Sequence, residues 1–280
     1  HPERRFRQPS TSCRPAGSVK TEVTVGAHGS GTFGIIPVDA SIEGKFSFNG
    51  ADNHLTGLDG SLDIRSKLAI QKITLERVAL KFGFGSGEAY ISALVAGKVD
   101  FVAAQVFAFF GQTRNPKSLD LIDRDTRALI VAHGVGPDGC FTDPLIGFYV
   151  GAEVTISINE FFRIPDTCLL SLHGIAGSGS FVFIQNNEVR IGYRTLLGID
   201  GEILCLVHVH GEAAYALSYG IPVGGPDGLF GDLANLSISG VGRLSVSAEI
   251  GICPFCVDFS KDFQLRVSIQ PSSGVSVEFD

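Results

Sequence analysis

The stretch LCLVHVHGEAAY, residues 204–215, places His208, His210 and Glu212 at alternate positions of a run that otherwise reads as a β-strand. Side chains two apart on a strand point to the same face, so two imidazoles and a carboxylate stand in one row. Two neutral imidazoles at that separation suit a first-row metal ion, and the carboxylate would complete a set of three. A closed site needs another strong ligand from a different strand, and no histidine occurs after residue 210. The expectation is therefore no metal and no cofactor, with these three residues as the candidates if one is bound. Their expected work is to hydrogen-bond a neighbouring strand or to line a small polar pocket. On this reading Cys205, Val207, Val209 and Tyr215 face the drier side of the strand and the histidines the wetter one.

Other chemistry-bearing spacings are weaker. The stretch GEILCLVHVHGEAAYALSYG resembles the first motif of the cupin barrels, but six residues separate Gly201 from His208 and one separates His210 from Glu212. Those spacings depart from the family pattern, and the second motif has no histidine to supply it. CPFC, residues 253–256, has the spacing of a redox pair, yet the next residues, VDFSKDFQLRVSI, read as a strand. A reactive thiol of that kind needs a helix N-terminus to lower its pKa. A structural role is expected instead, with Cys13, Cys140, Cys168, Cys205, Cys253 and Cys256 as disulfide candidates. In DLIDRDTR, Asp120, Asp123 and Asp125 alternate with arginines and read as a solvated, salt-bridged helix face. GxSxG and phosphate-loop endings are absent, so no catalytic residues are assigned and a non-enzymatic protein is expected.

The elements that hold these residues are strands. In SIEGKFSF, SLDIRSKLAI, RVALKFGF, RLSVSAEIGI and FQLRVSI, apolar and polar residues alternate with period two, the mark of half-buried antiparallel strands. Glycines recur inside the alternating runs, where they mark bends and bulges. The segment NPKSLDLIDRDTRALIVAHG breaks the alternation, and its apolar spacing predicts one helix over 118–132. The predicted fold is all-β: long, glycine-bent antiparallel strands in a coiled sheet or barrel, with that helix near mid-chain. Residues 1–20, rich in arginine, proline and serine, read as a basic arm. Residues 21–280 read as a single large β domain, with possible halves 21–112 and 139–280.

Composition narrows the partners. A net charge of −7 with one short basic cluster argues against nucleic acid. No run of 18 apolar residues occurs, so no transmembrane segment is expected. The chain begins at His1 and has no methionine, which suggests processing or truncation and, with six cysteines, a secreted, cell-surface or periplasmic location. The central runs EAYISALVAGKVDFVAAQVFAFF and LIGFYVGAEVTISI are apolar on both faces, more than one core needs. The leading expectation is binding of an apolar ligand, foremost lipid, along a face lined by Phe101, Phe107, Phe109, Phe148 and Phe183. The rival is a structural protein that buries the same faces against copies of itself.

Residues 40–101, with ASIEGKFSFNG and LTGLDGSLDIRSKLAIQKITLERVALKF, resemble the AsmA-like and TamB-like envelope proteins in their alternation and their LxG and LxI steps. That resemblance implies an open β-groove with an apolar trough, a lipid partner and no catalytic residues.

Overall fold

The structure is a computed structural model that describes residues 20–279 except 34–35, 50–53, 71–72, 86, 165–169, 205, 226–227, 231–235, 253–254 and 271–273. The basic arm apart from Lys20, and Cys13, Cys168, Cys205 and Cys253, lie outside the described residues. So does the side chain of Cys256, whereas Cys140 is buried and disulfide-bonded.

The alternating segments form strands of great length. Before the helical segment come β1 (Lys20–Phe33), β2 (Ile36–Asn49), β3 (Leu55–Ile70), β4 (Ile73–Gly85), β5 (Glu88–Val99) and β6 (Val102–Thr113). After it come β7 (Leu145–Ser157), β8 (Leu170–Gln185), β9 (Glu188–Ile203) and β10 (Val207–Gly225). The series ends with β11 (Gly228–Phe230), β12 (Ser237–Ile252), β13 (Phe255–Gln270) and β14 (Gly274–Phe279). Each strand pairs antiparallel with the next in one open meander, and β11 lies off the path, paired only with β10. Pairing of β6 with β7 carries the sheet across the helical insertion, so residues on both sides of it belong to one sheet.

Local chemistry explains the reversals. At Asn186–Asn187, between β8 and β9, φ is 51° and 57°. Two successive positive φ values make the tight turn that matches strand twist, and asparagine tolerates them best after glycine. Gly111 has φ 129° and pairs with Gly147 across β6 and β7. A β-carbon there would collide with the backbone of Ala89 and Tyr90, so this kink needs a residue without a side chain.

The helix expected over 118–132 is split. A 3-10 turn at Pro116–Leu119 precedes α1 (Arg124–Gly134), and a one-turn helix, α2 (Ile158–Phe161), comes after β7. Asp123 causes the break: its backbone is extended, at φ −63° and ψ 154°, and its Oδ1 accepts from Thr126 N at 2.8 Å. That is an N-cap, which starts a helix at the next residue.

The 3-10 turn rests on β4–β6 and α1 on β9, β10 and β12. The core lies between these segments and one face of the sheet, around Leu119, Leu129, Phe109, Tyr149 and Phe181. Tyr149 is wholly buried, and its phenol fills the space above Gly151 and the facing Gly179. A β-carbon on Gly179 would stand 2.5 Å from the hydroxyl. Gly151→Ala is therefore expected to cost about 1–3 kcal/mol through overpacking, read as a lower denaturation midpoint with an unchanged slope.

Candidate functional site

Register assigns every strand residue to one of two faces. The covered face carries Tyr90, Phe109, Tyr149, Phe181, Arg194 and Ala216, all buried beneath the helical segment. His208, His210 and Glu212 lie on this same face, in step with Ala214 and Ala216. The expectation about dryness is reversed toward the end of the row that holds Ala214 and Ala216, both buried, whereas His208 stays exposed, its side chain at 52%. Val209 and Tyr215 are 39% and 48% exposed on the opposite face, while the histidine face is the one α1 covers. Parity was right but does not say which side is covered, because α1 crosses over the strand from 74 residues or more upstream in sequence (Gly134 to His208).

The three predicted residues do not converge on one point. His208 Nε2 and His210 Nδ1 both meet Asp200 Oδ1 on β9, at 2.9 and 3.3 Å. Glu212 turns away to the guanidinium of Arg243, and its other oxygen is 4.0 Å from His210 Nε2. Among the described residues no group of three or more His, Cys, Asp or Glu is disposed to hold a metal ion.

The largest charge cluster lies under the start of α1. Arg194, on β9 and 3% exposed, meets Asp123 at 3.0 Å, Asp125 at 3.2 Å and Glu153 at 2.7 Å. Arg243, on β12, meets Asp125 at 2.8 Å and also pairs with Glu212. Burial alone would lower the pKa of each guanidinium, but the surrounding carboxylates outweigh it and hold both above the ordinary arginine value. Burial, helped by the Asp123 carboxylate, pushes the Tyr149 phenol well above its usual range. Asp123 and Asp125 are therefore not solvated, contrary to the expectation for DLIDRDTR. Only Asp120 of that trio fits it, paired at the surface with Lys81 and Arg127. Arg194 and Arg243 were not singled out from the sequence. The available signal was an arginine flanked two residues away by Gly192 and Leu196, small and apolar neighbours that leave it no wet surface.

Beside this cluster is a cavity of about 620 Å³, bounded by Phe107, Leu121, Glu153, Arg194, His210 and Arg243. It holds both charge signs, and its carboxylates are committed to the arginines. The network ties α1 to four strands, β7, β9, β10 and β12.

His208 is the group here that titrates most usefully. The hydrogen bond to Asp200 raises its pKa despite some burial. Burial pushes Asp200 up, but hydrogen bonds from His208 and His210 bring it below the ordinary carboxylate value. A raised histidine stabilises the fold below its unfolded pKa, and that contribution is lost as pH rises through the folded value. A lowered aspartate stabilises above its unfolded pKa and loses this as pH falls through its folded value. The contact is fully formed between about pH 4 and 6.5. An NMR titration is expected to place His208 above the ordinary value of about 6.5, and Asp200→Asn to return it there. Equal midpoints in both proteins would count against the pairing.

The opposite face is apolar and open. A single row crosses the whole sheet from Val25 on β1 through Phe82, Phe110, Phe148 and Tyr219 to Val275 on β14, each residue paired through its neighbours. Phe110 is 68% exposed and Val150 56%. Outside the bulges at Arg65–Leu68 and Leu75–Arg77, the only charged residue among the described positions of this face is Lys261, folded over the ring of Phe263. On β1–β4 the face dips into an apolar cleft of about 450 Å³ between Val25, Ile42, Phe46, Leu62, Leu80 and Phe82.

The five phenylalanines expected to line one ligand surface are divided. Phe148 lies on the open apolar face, 44% exposed. Phe107, Phe109 and Phe183 are buried on the covered face, and Phe101 sits in the β5–β6 turn against Phe161. Periodicity separates odd from even positions, so Phe107 and Phe109 on β6 had to face away from Phe110. Comparison with protein-family models, curated proteins and solved structures finds no match for this chain.

Proposed function

We propose that this chain is a non-enzymatic β protein that binds lipid hydrocarbon through the open face of its sheet. One observation carries the reading: among the described residues that face holds a single charge, Lys261, outside two bulges across the full run of strands. At about 4.8 Å between strands such a face is roughly 60 Å wide. The largest apolar patch on an ordinary monomer is about 300–600 Å², and this one exceeds it severalfold. The charged residues of the strands gather on the other face, where many of them pair, as Lys45 does with Glu22, Arg77 with Asp63 and Arg190 with Glu188. The buried cluster around Arg194 contains no nucleophile beside a base, which supports binding rather than catalysis.

Flotation tests the proposal. The purified chain, mixed with phosphatidylcholine vesicles and placed under a density gradient, is expected to rise with them. A double variant, Val150→Glu with Leu197→Glu, is expected to stay below. Wild-type chain that remains in the dense fraction would overturn the reading.

A second reading has its own support. β1 is an edge strand of 14 residues whose only acidic or basic side chains besides His28 are Lys20 and Glu22. A long edge with so little charge invites pairing with another chain, as a self-assembling surface protein requires. Sedimentation without lipid separates the two readings: large particles favour assembly, a small species favours the lipid binder.

A further inference from the structure

Building on the lipid reading, we propose that the occupant of the open face is the interior of a bilayer, and that the sheet spans it with its charged face turned inward. A protein that merely carries a lipid molecule needs an apolar cleft. This face, outside its two bulges, carries Lys261 as its one charge among the described residues over its whole height as well as its width, with a few uncharged polar groups such as Gln112, Ser178, Ser180 and Thr195. On β7 the open-face positions run from Ile146 to Ile156 through Phe148, Val150, Ala152 and Val154, without a polar side chain. Ten residues at about 3.3 Å each cover about 33 Å. Tilted by 35–45°, such a strand presents an apolar band of about 25 Å, which is the height a bilayer core requires of a spanning β-sheet.

The ends and the inside agree with this. The hairpin tips at Asp100 and at Asn186–Asn187 lie at opposite ends of the strands, so each end of the band has a polar turn, and the Asp100 end also carries the exposed Phe161 and Phe162. The inward face holds the Arg194 and Arg243 ion pairs, plugged by α1 and kept from contact with the open face. No helix among the described residues is long and apolar enough to cross a membrane; strands do the crossing here. Hydrocarbon tolerates no unpaired sheet edge, so β1 and β14 need partners when the sheet enters. Both occupy odd places in the 13-strand path and run in the same direction. Joined to each other, they form a parallel pair.

The chain has no tryptophan, which makes a depth measurement clean. Single variants Ile146→Trp, Val150→Trp and Ile156→Trp, with Phe148→Trp as the gentlest exchange, are reconstituted into phosphatidylcholine vesicles. Fluorescence quenching is then compared between lipids brominated deep in the acyl chain and lipids carrying the quencher at the headgroup. Strand content by circular dichroism confirms that each variant is folded. For Val150→Trp the deep quencher is expected to win by roughly twofold or more, because ~15 Å of hydrocarbon separates the two depths. For Ile146→Trp and Ile156→Trp the headgroup quencher is expected to win. Equal depth at all four positions would overturn spanning while leaving lipid contact in place, since a sheet lying flat gives that result. Absence of quenching by either lipid would overturn both the spanning proposal and the lipid reading beneath it.

Discussion

Replacing Arg194 by methionine is expected to destabilise the fold by about 3–5 kcal/mol, the usual cost of removing one partner from a buried ion pair. Arg194 is the shared counter-charge of Asp123, Asp125 and Glu153, and its side chain is almost wholly buried. Without it three carboxylates face one another at the base of the cavity, and only Arg243 remains close to Asp125. The loss acts on α1 first, because Asp123 is also the N-cap of that helix. Denaturation midpoints followed by near-ultraviolet circular dichroism, which reports Tyr149 beside the cluster, measure the effect. Adding Asp123→Asn and Glu153→Gln to Arg194→Met should recover a good part of the loss, since fewer unpaired charges are then buried. If the single variant is as stable as the parent, the network does not hold α1 to the sheet.

The second large effect depends on the surroundings of the protein. Val150→Arg puts a charge at the middle of the open face, on a residue 56% exposed. In water such a surface substitution is expected to change stability by no more than about 0.5 kcal/mol. Against hydrocarbon the same change is expected to cost about 2–4 kcal/mol, because an arginine at mid-bilayer is poorly solvated. Unfolding from detergent-free vesicles compared with unfolding in aqueous buffer shows whether the penalty appears only in lipid. An equal effect in both media would argue that Val150 does not meet hydrocarbon. Lys261 offers a natural contrast: it already sits on this face, where its ammonium lies 5.6 Å from the centre of the Phe263 ring.

Much of the architecture was legible in the sequence because strand geometry is strictly periodic. Ile42, Phe46 and Phe48 share a face in the sequence and in the sheet, and so do His208, His210 and Glu212. The all-β class, the long bent strands and the mid-chain helical insertion follow from alternation and its single interruption. The separation of charged from apolar positions follows as well, since it needs only parity along each strand. A hydropathy search for long apolar runs misses this pattern, because polar, charged or small residues interrupt the covered-face positions of every strand, as Lys98, Gln105 and Glu153 do.

What the tertiary structure decided is which of the two faces is dry, and which distant charges meet. Parity carries no information about what covers a face. α1 lies over β9, β10 and β12 and the 3-10 turn over β4–β6, which places His210 and Glu212 beside a cavity and leaves the opposite face, with Phe110 and Phe148, open. Asp125 meets Arg194 across 69 residues and Arg243 across 118. No local pattern encodes those distances; they arise when the meander curls around the helix and brings β7 to β12 under its N-terminus. The same packing turned Asp123 and Asp125 of DLIDRDTR from an expected wet surface into part of a buried ion-pair cluster, because burial depends on the partner surface and is not a property of the segment itself.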